Sequence, residues 1–160
     1  MKRFLIFLLV FVLAIGAVGA SSSLDSALSE LESFADMEVE YFTNDTNVSV
    51  GDYNFTVPKD FGLIQPLSVD VSTKNESESV SFFTNSNREI LMISITSSDS
   101  INETIYTYIP DDIPHENATI KGQDGLKWSN DTYAFFTYRI NNDLVFLQAP
   151  QDSYFEKMII

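Results

Sequence analysis

Cysteine is absent from this 160-residue chain, and histidine and tryptophan each occur once. Without cysteine there can be no disulfide, no thiolate metal site, no cysteine nucleophile and no lipid-modified cysteine. A single histidine, His115, excludes His-paired zinc sites and metalloprotease helices of the H-E-x-x-H kind within one chain. The fold must therefore depend on its hydrophobic core alone, and we expect no metal and no cofactor.

Basic residues are also scarce. Nine Lys and Arg stand against 23 Asp and Glu, which gives a net charge of -14. A field this negative repels the phosphates of nucleic acids and of anionic lipid headgroups. Nucleic acid is therefore excluded as a partner.

Catalytic signatures are missing as well. There is no Gly-x-Ser-x-Gly elbow, and a serine nucleophile would have only His115 as its base. Carboxylates are so frequent that a glycosidase-type pair, with Asp111 and Asp112 the closest in sequence, cannot be told from solvated surface charge. The segment GQDG at 122–125 lacks the residues of a phosphate or calcium loop, and it is predicted to be a hairpin turn. We predict no catalytic, cofactor-binding or metal-binding residue.

The N-glycosylation acceptor pattern Asn-x-Ser/Thr is present in excess. It occurs seven times without proline at the middle position, whereas 11 Asn and 30 Ser plus Thr would give about two by random placement. The alternative is that an Asn-, Ser- and Thr-rich acidic surface produces such triplets by composition. Glycosylation is predicted at Asn44, Asn47, Asn54, Asn75, Asn102, Asn117 and Asn130.

Residues 1–20 provide the export that N-glycosylation requires. Lys2 and Arg3 precede an unbroken apolar run that ends in the small residues Gly19 and Ala20. This order is typical of a secretory signal peptide. The run is close to the minimum length of a membrane-spanning helix, so an uncleaved anchor in the cytoplasmic membrane is the alternative. We expect a secreted or cell-surface protein that contacts the membrane only through residues 4–20, if these are not cleaved.

Residues 21–44 are predicted to form an amphipathic helix or neck. Apolar residues recur there at three- and four-residue spacings from Leu24 to Ala35. The helix either packs on the domain that follows, or it spaces that domain from a membrane or pairs with another helix. Residues 45–160 are predicted to form one domain, since their number is close to the common domain size.

Alternating polarity predicts strands from Val48 onward. Tyr53, Phe55 and Val57 share one side, so Asn54 is expected on the solvent side. Gly51-Asp52 is expected to be a turn or a bulge that resets the register. Two later hairpins are predicted to turn at 85–88 and at 141–142. The side chains expected to face the core are Phe55, Leu91, Ile93, Ile95, Phe136 and Phe146.

Two short helices are predicted from Ser-x-x-Glu capping boxes that begin at Ser100 and Ser153. The second helix should bury Phe155, Met158 and Ile159. Runs of strands with helices at both ends indicate an α+β fold, in which helices pack on one face of an antiparallel sheet.

Two surface patches carry functional hypotheses. An aromatic patch could stack on sugars or partner surfaces, unless these rings belong to the core of a sheet covered on both faces. Its residues are Tyr106, Tyr108, Trp128, Tyr133 and Phe135. An acidic patch could hold calcium weakly, unless it is a solvated loop. Its residues are Asp99, Glu103, Asp111, Asp112 and Glu116.

The order of the segments YNFTVPKDFG, EILMISIT, IKGQDGLKW, TYAFFTYRINNDLVFLQAP and SYFEKMI resembles small secreted domains of unknown function in methanogenic archaea. This chain departs from their pattern at 141–143, where Asn-Asn-Asp replaces a Gly-Lys turn. In element order those domains are similar to the α/β sandwich of PsbP-like and Mog1-like proteins, which act mainly as binding or accessory modules. The resemblance implies a noncatalytic exported domain and transfers no functional residue.

Together these observations favour an exported, N-glycosylated binding or interaction module without catalytic activity. Its partner would be a protein or a glycan at the cell envelope. Two alternatives stay open: a secreted hydrolase or accessory subunit that uses unidentified carboxylates, and a structural envelope component.

We predict that the mature chain begins close to Ser21, because the apolar run ends in small residues that a signal peptidase accepts. N-terminal sequencing of native material measures this directly. A membrane-bound product that retains Met1 or Lys2 would show that the segment is an anchor.

Overall fold

A computed structural model describes residues 39–65, 68–72, 76–98 and 113–160, which belong to the compact unit Val39–Ile160. The described residues form ten strands and one short helix. The strands are β1 (Thr46–Val50), β2 (Tyr53–Val57), β3 (Phe61–Leu63), β4 (Val69–Ser72), β5 (Glu76–Asn85), β6 (Ile90–Ser98), β7 (Glu116–Ile120), β8 (Gln123–Ser129), β9 (Ala134–Ile140) and β10 (Asp143–Ala149). A 3-10 turn (Asp152–Tyr154) leads into helix α1 (Phe155–Met158).

All strand pairs in the described residues are antiparallel. Strands β1 and β2 form a separate two-stranded sheet. The large sheet has the order β3-β5-β6-β10-β9-β8-β7, and β4 pairs with the same edge of β5 as β3 does. Residues before β1 also belong to the fold, because the Phe42 N–H donates to the Phe61 carbonyl and the Asp60 N–H donates to the Phe42 carbonyl, each at 2.8 Å.

The hairpin turns lie where the sequence places them, at 51–52, 86–89 and 141–142. The GQDG segment is only in part a turn. Lys121 and Gly122 make the turn with φ of 52° and 80°, as a two-residue type I′ hairpin requires, whereas Gln123 to Gly125 continue into β8. Gly125 cannot carry a side chain, because a Cβ atom there would collide with the Thr137 carbonyl.

One face of the large sheet, called the inner face, packs against the β1–β2 hairpin and α1. Ile93, Leu147 and Phe136 stand opposite one another on β6, β10 and β9, and all three are fully buried. Phe55 of the hairpin and Phe155 of α1 belong to the same cluster, with the Phe155 ring centroid 5.9 Å from that of Phe136. The core prediction is confirmed for Phe55, Leu91, Ile93, Ile95 and Phe136.

The opposite face of the large sheet, called the outer face, is also buried over much of its area. A row across five strands consists of Phe82, Met92, Gln148, Phe135 and Trp128, none more than 8% exposed. Every residue of β9 from 134 to 138 is therefore buried. This explains why apolar side chains point to both faces of the sheet along this strand. Phe146 is only partly buried and lies on this outer face, beside Trp128 and Phe135.

The predicted α+β fold is wrong. The described residues form an antiparallel β-fold, and the inner face is covered by a β-hairpin and a four-residue helix instead of packed helices. Ile159 explains why α1 is short: it leaves the helical conformation to form a β-bridge with Phe55. The predicted capping box makes no side-chain bond at either helix start, although Phe155, Met158 and Ile159 are buried as expected.

The helix predicted from Ser100 and the leader 1–20 lie outside the described residues. So does the helix or neck predicted at 21–44, except for residues 39–44, which are not helical. Strands β3 and β4 were missed because they are short and β4 alternates with polar residues that resembled a loop. In the part of the chain that the structure describes, no helix is long and apolar enough to cross a membrane.

Replacing Phe136 by Ala should lower the free energy of unfolding by about 3 to 5 kcal/mol, because the ring is fully buried between sheet and helix. The urea midpoint measures the change. Tyr41→Ala is the control, since this ring is 43% exposed and its loss should cost less than about 1 kcal/mol. An unchanged midpoint for Phe136→Ala would contradict the burial assigned to β9.

Candidate functional site

An open cleft of about 730 Å³ lies at one end of strands β7 to β10. Its lining comes from three separate segments, 114–116, 127–134 and 150–152. These are the start of β7, the end of β8 with its turn into β9, and the chain that leaves β10. The volume is within the range of small-molecule sites, about 300 to 1,000 Å³.

A lysine between two carboxylates joins the segments that line the cleft. Lys127 Nζ lies 3.1 Å from Glu116 Oε1, directly across the β7–β8 pair, and 3.4 Å from Asp152 Oδ2 in the 3-10 turn. The bond to Glu116, and then the bond to Asp152, raise the pKa of Lys127 above its usual range, against a partial burial that lowers it. Both carboxylates are well exposed, so this triad adds little to stability and mainly orients the cleft wall.

The β8–β9 turn forms an ordered rim of the cleft. Asn130 Oδ1 accepts hydrogen bonds from the backbone N–H groups of Thr132 at 2.9 Å and Tyr133 at 2.7 Å. The Asn130 N–H in turn donates to the Tyr133 carbonyl at 2.9 Å. Backbone N–H groups can only donate, so the side-chain oxygen must face them and Nδ2 points away from the turn.

The remaining charges give the cleft a negative balance. Glu116, Asp131 and Asp152 oppose Lys127 alone, a net of -2 with His115 neutral. His115 Nδ1 lies 2.8 Å from the Ile113 carbonyl, so Nδ1 donates to this oxygen. Within the described ranges, no three His, Asp or Glu side chains are arranged to hold a metal ion. The cleft therefore suits neutral or cationic groups better than anions.

The aromatic patch is not a surface platform. Trp128 is 8% exposed and stacks on the fully buried Phe135, with 5.4 Å between ring centroids and 19° between planes. Tyr133 is half-buried, and burial is the main cause that raises its pKa. The stacking hypothesis is therefore wrong for Trp128 and Phe135. Tyr106 and Tyr108 lie outside the described residues.

The acidic patch is described at Glu116 alone, where the carboxylate pairs with Lys127. Its other four members, Asp99, Glu103, Asp111 and Asp112, lie outside the described residues. Sequence reasoning missed Lys127, Asp131 and Asp152 as members of one site. Their positions carry no local signal, because only the pairing of β7, β8, β9 and β10 brings the three segments together.

The sequon asparagines that the structure describes are all exposed. Asn130 lines the cleft, and Asn44 lies in the segment before β1. Asn47 and Asn54 face away from the inner-face core on β1 and β2, and Asn117 lies on β7 at an end of the large sheet. Asn75 and Asn102 lie outside the described residues.

The two sequons of the β1–β2 hairpin bond to each other. One is Asn47-Val48-Ser49 on β1, and the other is Asn54-Phe55-Thr56 on β2. Ser49 Oγ donates to Asn54 Oδ1 at 2.8 Å, and Thr56 Oγ1 donates to Asn47 Oδ1 at 3.1 Å. The hydroxyl of each sequon thus binds the amide of the other across the strand pair.

Comparison of the chain with protein-family models, with curated proteins and with solved structures gives no match. The resemblance to secreted archaeal domains therefore stays a prediction that depends on the quoted segments alone.

Proposed function

We propose that this chain is an exported, N-glycosylated module of the cell surface or the secreted fraction, which binds a protein or glycan partner at the envelope and catalyses no reaction. The exposure of every described sequon asparagine carries the proposal. A bulky hydrophilic glycan can be attached only where the amide nitrogen faces solvent. Asn47 and Asn54 both occupy the solvent side of their hairpin, as an acceptor asparagine must.

The cleft is the surface that we assign to binding. It combines a concave shape, an ordered rim at 130–133 and a wall oriented by the Lys127 ion pairs. Its negative balance favours a partner that presents hydroxyl, amide or cationic groups. These are the groups that polypeptide and glycan surfaces offer.

Support for a binding role over catalysis comes from His115. Nucleophilic catalysis needs a nucleophile within hydrogen-bond reach of its base. In the described part of the chain, the His115 ring is bonded only to the Ile113 carbonyl, and no hydroxyl or carboxylate contacts Nε2. The side chain is exposed, so water competes for that nitrogen.

Native protein should carry glycans at several of the seven sequons. Peptide mapping before and after chemical deglycosylation measures the occupancy of each site. An Asn130→Gln variant made in the same host is the control, since it should lose the glycan of that site alone. A native mass equal to that of the bare mature chain would reduce the sequon excess to an accident of composition.

Charge reversal in the cleft should abolish capture of the partner. Asp131→Arg changes the cleft charge by two units and keeps the sequon Asn130-x-Thr132 intact. Asp52→Arg is the matched control, because it makes the same charge change at the exposed β1–β2 turn. Pull-down from native envelope, followed by mass spectrometry, should recover a partner with wild type and Asp52→Arg but not with Asp131→Arg. Equal recovery by both variants would exclude the cleft as the binding surface.

A further inference from the structure

We propose that Asn47 and Asn54 receive their glycans on the unfolded chain, before the β1–β2 hairpin closes, whereas Asn130 remains an acceptor after folding. This inference rests on the proposed function, since it takes the sequons to be used. It separates the two hairpin sequons, which folding closes, from the Asn130 sequon, which folding leaves open. The division follows from what each sequon is bonded to.

The transfer reaction defines what an accessible acceptor must offer. The asparagine Nδ2 bonds to the anomeric carbon of a lipid-phosphate-linked sugar, the bond from that carbon to the phosphate oxygen breaks, and one amide proton passes to a base of the transferase. The lipid phosphate leaves with the electron pair. An enzyme that selects Asn-x-Ser/Thr must contact both the amide and the hydroxyl two residues later. The amide Nδ2 and the hydroxyl must therefore be free of other partners.

In the folded hairpin, the hydroxyl group of each sequon is hydrogen-bonded to the opposite strand. Ser49 Oγ is held by Asn54 at 2.8 Å, and Thr56 Oγ1 is held by Asn47 at 3.1 Å. A transferase that grips one sequon must break a bond to the other. The two strands are paired along their whole length, so separating one sequon from the other also breaks backbone hydrogen bonds between β1 and β2.

The middle residue of the second sequon adds a stronger constraint. Phe55 stands between Asn54 and Thr56, is 1% exposed and bridges to Ile159. Lifting Asn54-Phe55-Thr56 into an enzyme groove would pull this ring out of the inner-face core. A sequon whose centre is a core residue is thus an acceptor only when the core has not formed.

A glycan attached early is compatible with the folded hairpin. The sugar occupies Nδ2, whereas the bonds from Ser49 and Thr56 go to the two Oδ1 atoms. Both asparagines face solvent, so the modified side chains can keep their cross-strand bonds. The order is therefore one-way: modification permits folding, but folding blocks modification.

Asn130 differs in the hydroxyl of its sequon and in the middle residue. Its Oδ1 accepts bonds from backbone N–H groups of its own turn, which leaves Nδ2 and the Thr132 hydroxyl directed to solvent or to the cleft. The middle residue, Asp131, is exposed. An enzyme can therefore grip this sequon without removing any side chain from the core.

The test compares two times of addition of a purified oligosaccharyltransferase and its lipid-linked sugar donor to cell-free synthesis of the full chain. In one arm the enzyme is present during synthesis, and in the other it is added after folding is complete. Peptide mapping gives site occupancy. Occupancy of Asn47 and Asn54 should fall at least about tenfold in the second arm, whereas that of Asn130 should change by less than about twofold. Equal occupancy of Asn47 and Asn54 in both arms, or an equal fall at Asn130, overturns the proposal.

Phe55→Ala supplies a second measurement, because it keeps the sequon Asn54-x-Thr56 but removes the core anchor of the hairpin. It should restore occupancy of Asn54 after folding. Phe82→Ala, a buried ring on the outer face, is the control for general destabilisation and should not restore it. If both variants or neither variant restored the occupancy of Asn54 after folding, the proposal that the Phe55 anchor closes this sequon would be contradicted. Failure of the proposed function is a separate result, since it would be seen as unmodified native protein whatever the added enzyme does.

Discussion

Packing of the β1–β2 hairpin on the inner face is the contact on which the rest of the described structure depends. A two-stranded hairpin is marginally stable in water, and this chain has no disulfide to hold one. Phe55 and Val57, both almost fully buried, supply the apolar anchor. Tyr53 adds a hydrogen bond between the hairpin and the large sheet, because its hydroxyl donates to Oδ2 of Asp143, at the start of β10, at 2.6 Å.

The same contact decides the chemistry of the hairpin's other side. Once Phe55 faces the core, period two directs Asn54 and Thr56 away from it, and the register places Ser49 opposite Asn54. The solvent side is therefore built from amides and hydroxyls that bond to each other. Under the proposed glycosylation, stability and modification are coupled at these residues, since Phe55, which anchors the hairpin, stands between the asparagine and the threonine of a sequon.

The cleft is lined by a different part of the fold. The large sheet brings the ends of β7, β8 and β9 together, and the chain that leaves β10 adds Asp152. Lys127 then links that segment to β7 through two carboxylates. In a chain with a net charge of -14, these pairs place one of few cations inside an otherwise acidic concavity. The negative balance of this concavity is unfavourable for anions.

The sequence by itself determined the absence of disulfides, three hairpin turns and the side-chain alternation of β2 and β6, because turn residues and period two act over a few positions. It assigned Phe146 of β10 to the wrong face. It indicated the solvent side for Asn54, and the fold agrees. It did not predict the all-antiparallel β-fold: the short polar strand β4 and the single-turn α1 are stabilised by neighbours distant in sequence, β5 and Phe55. The Lys127 cleft and the reciprocal hydrogen bonds between the two hairpin sequons were likewise decided by tertiary structure. Strand order and register bring those residues into contact, and no local sequence pattern encodes either of them.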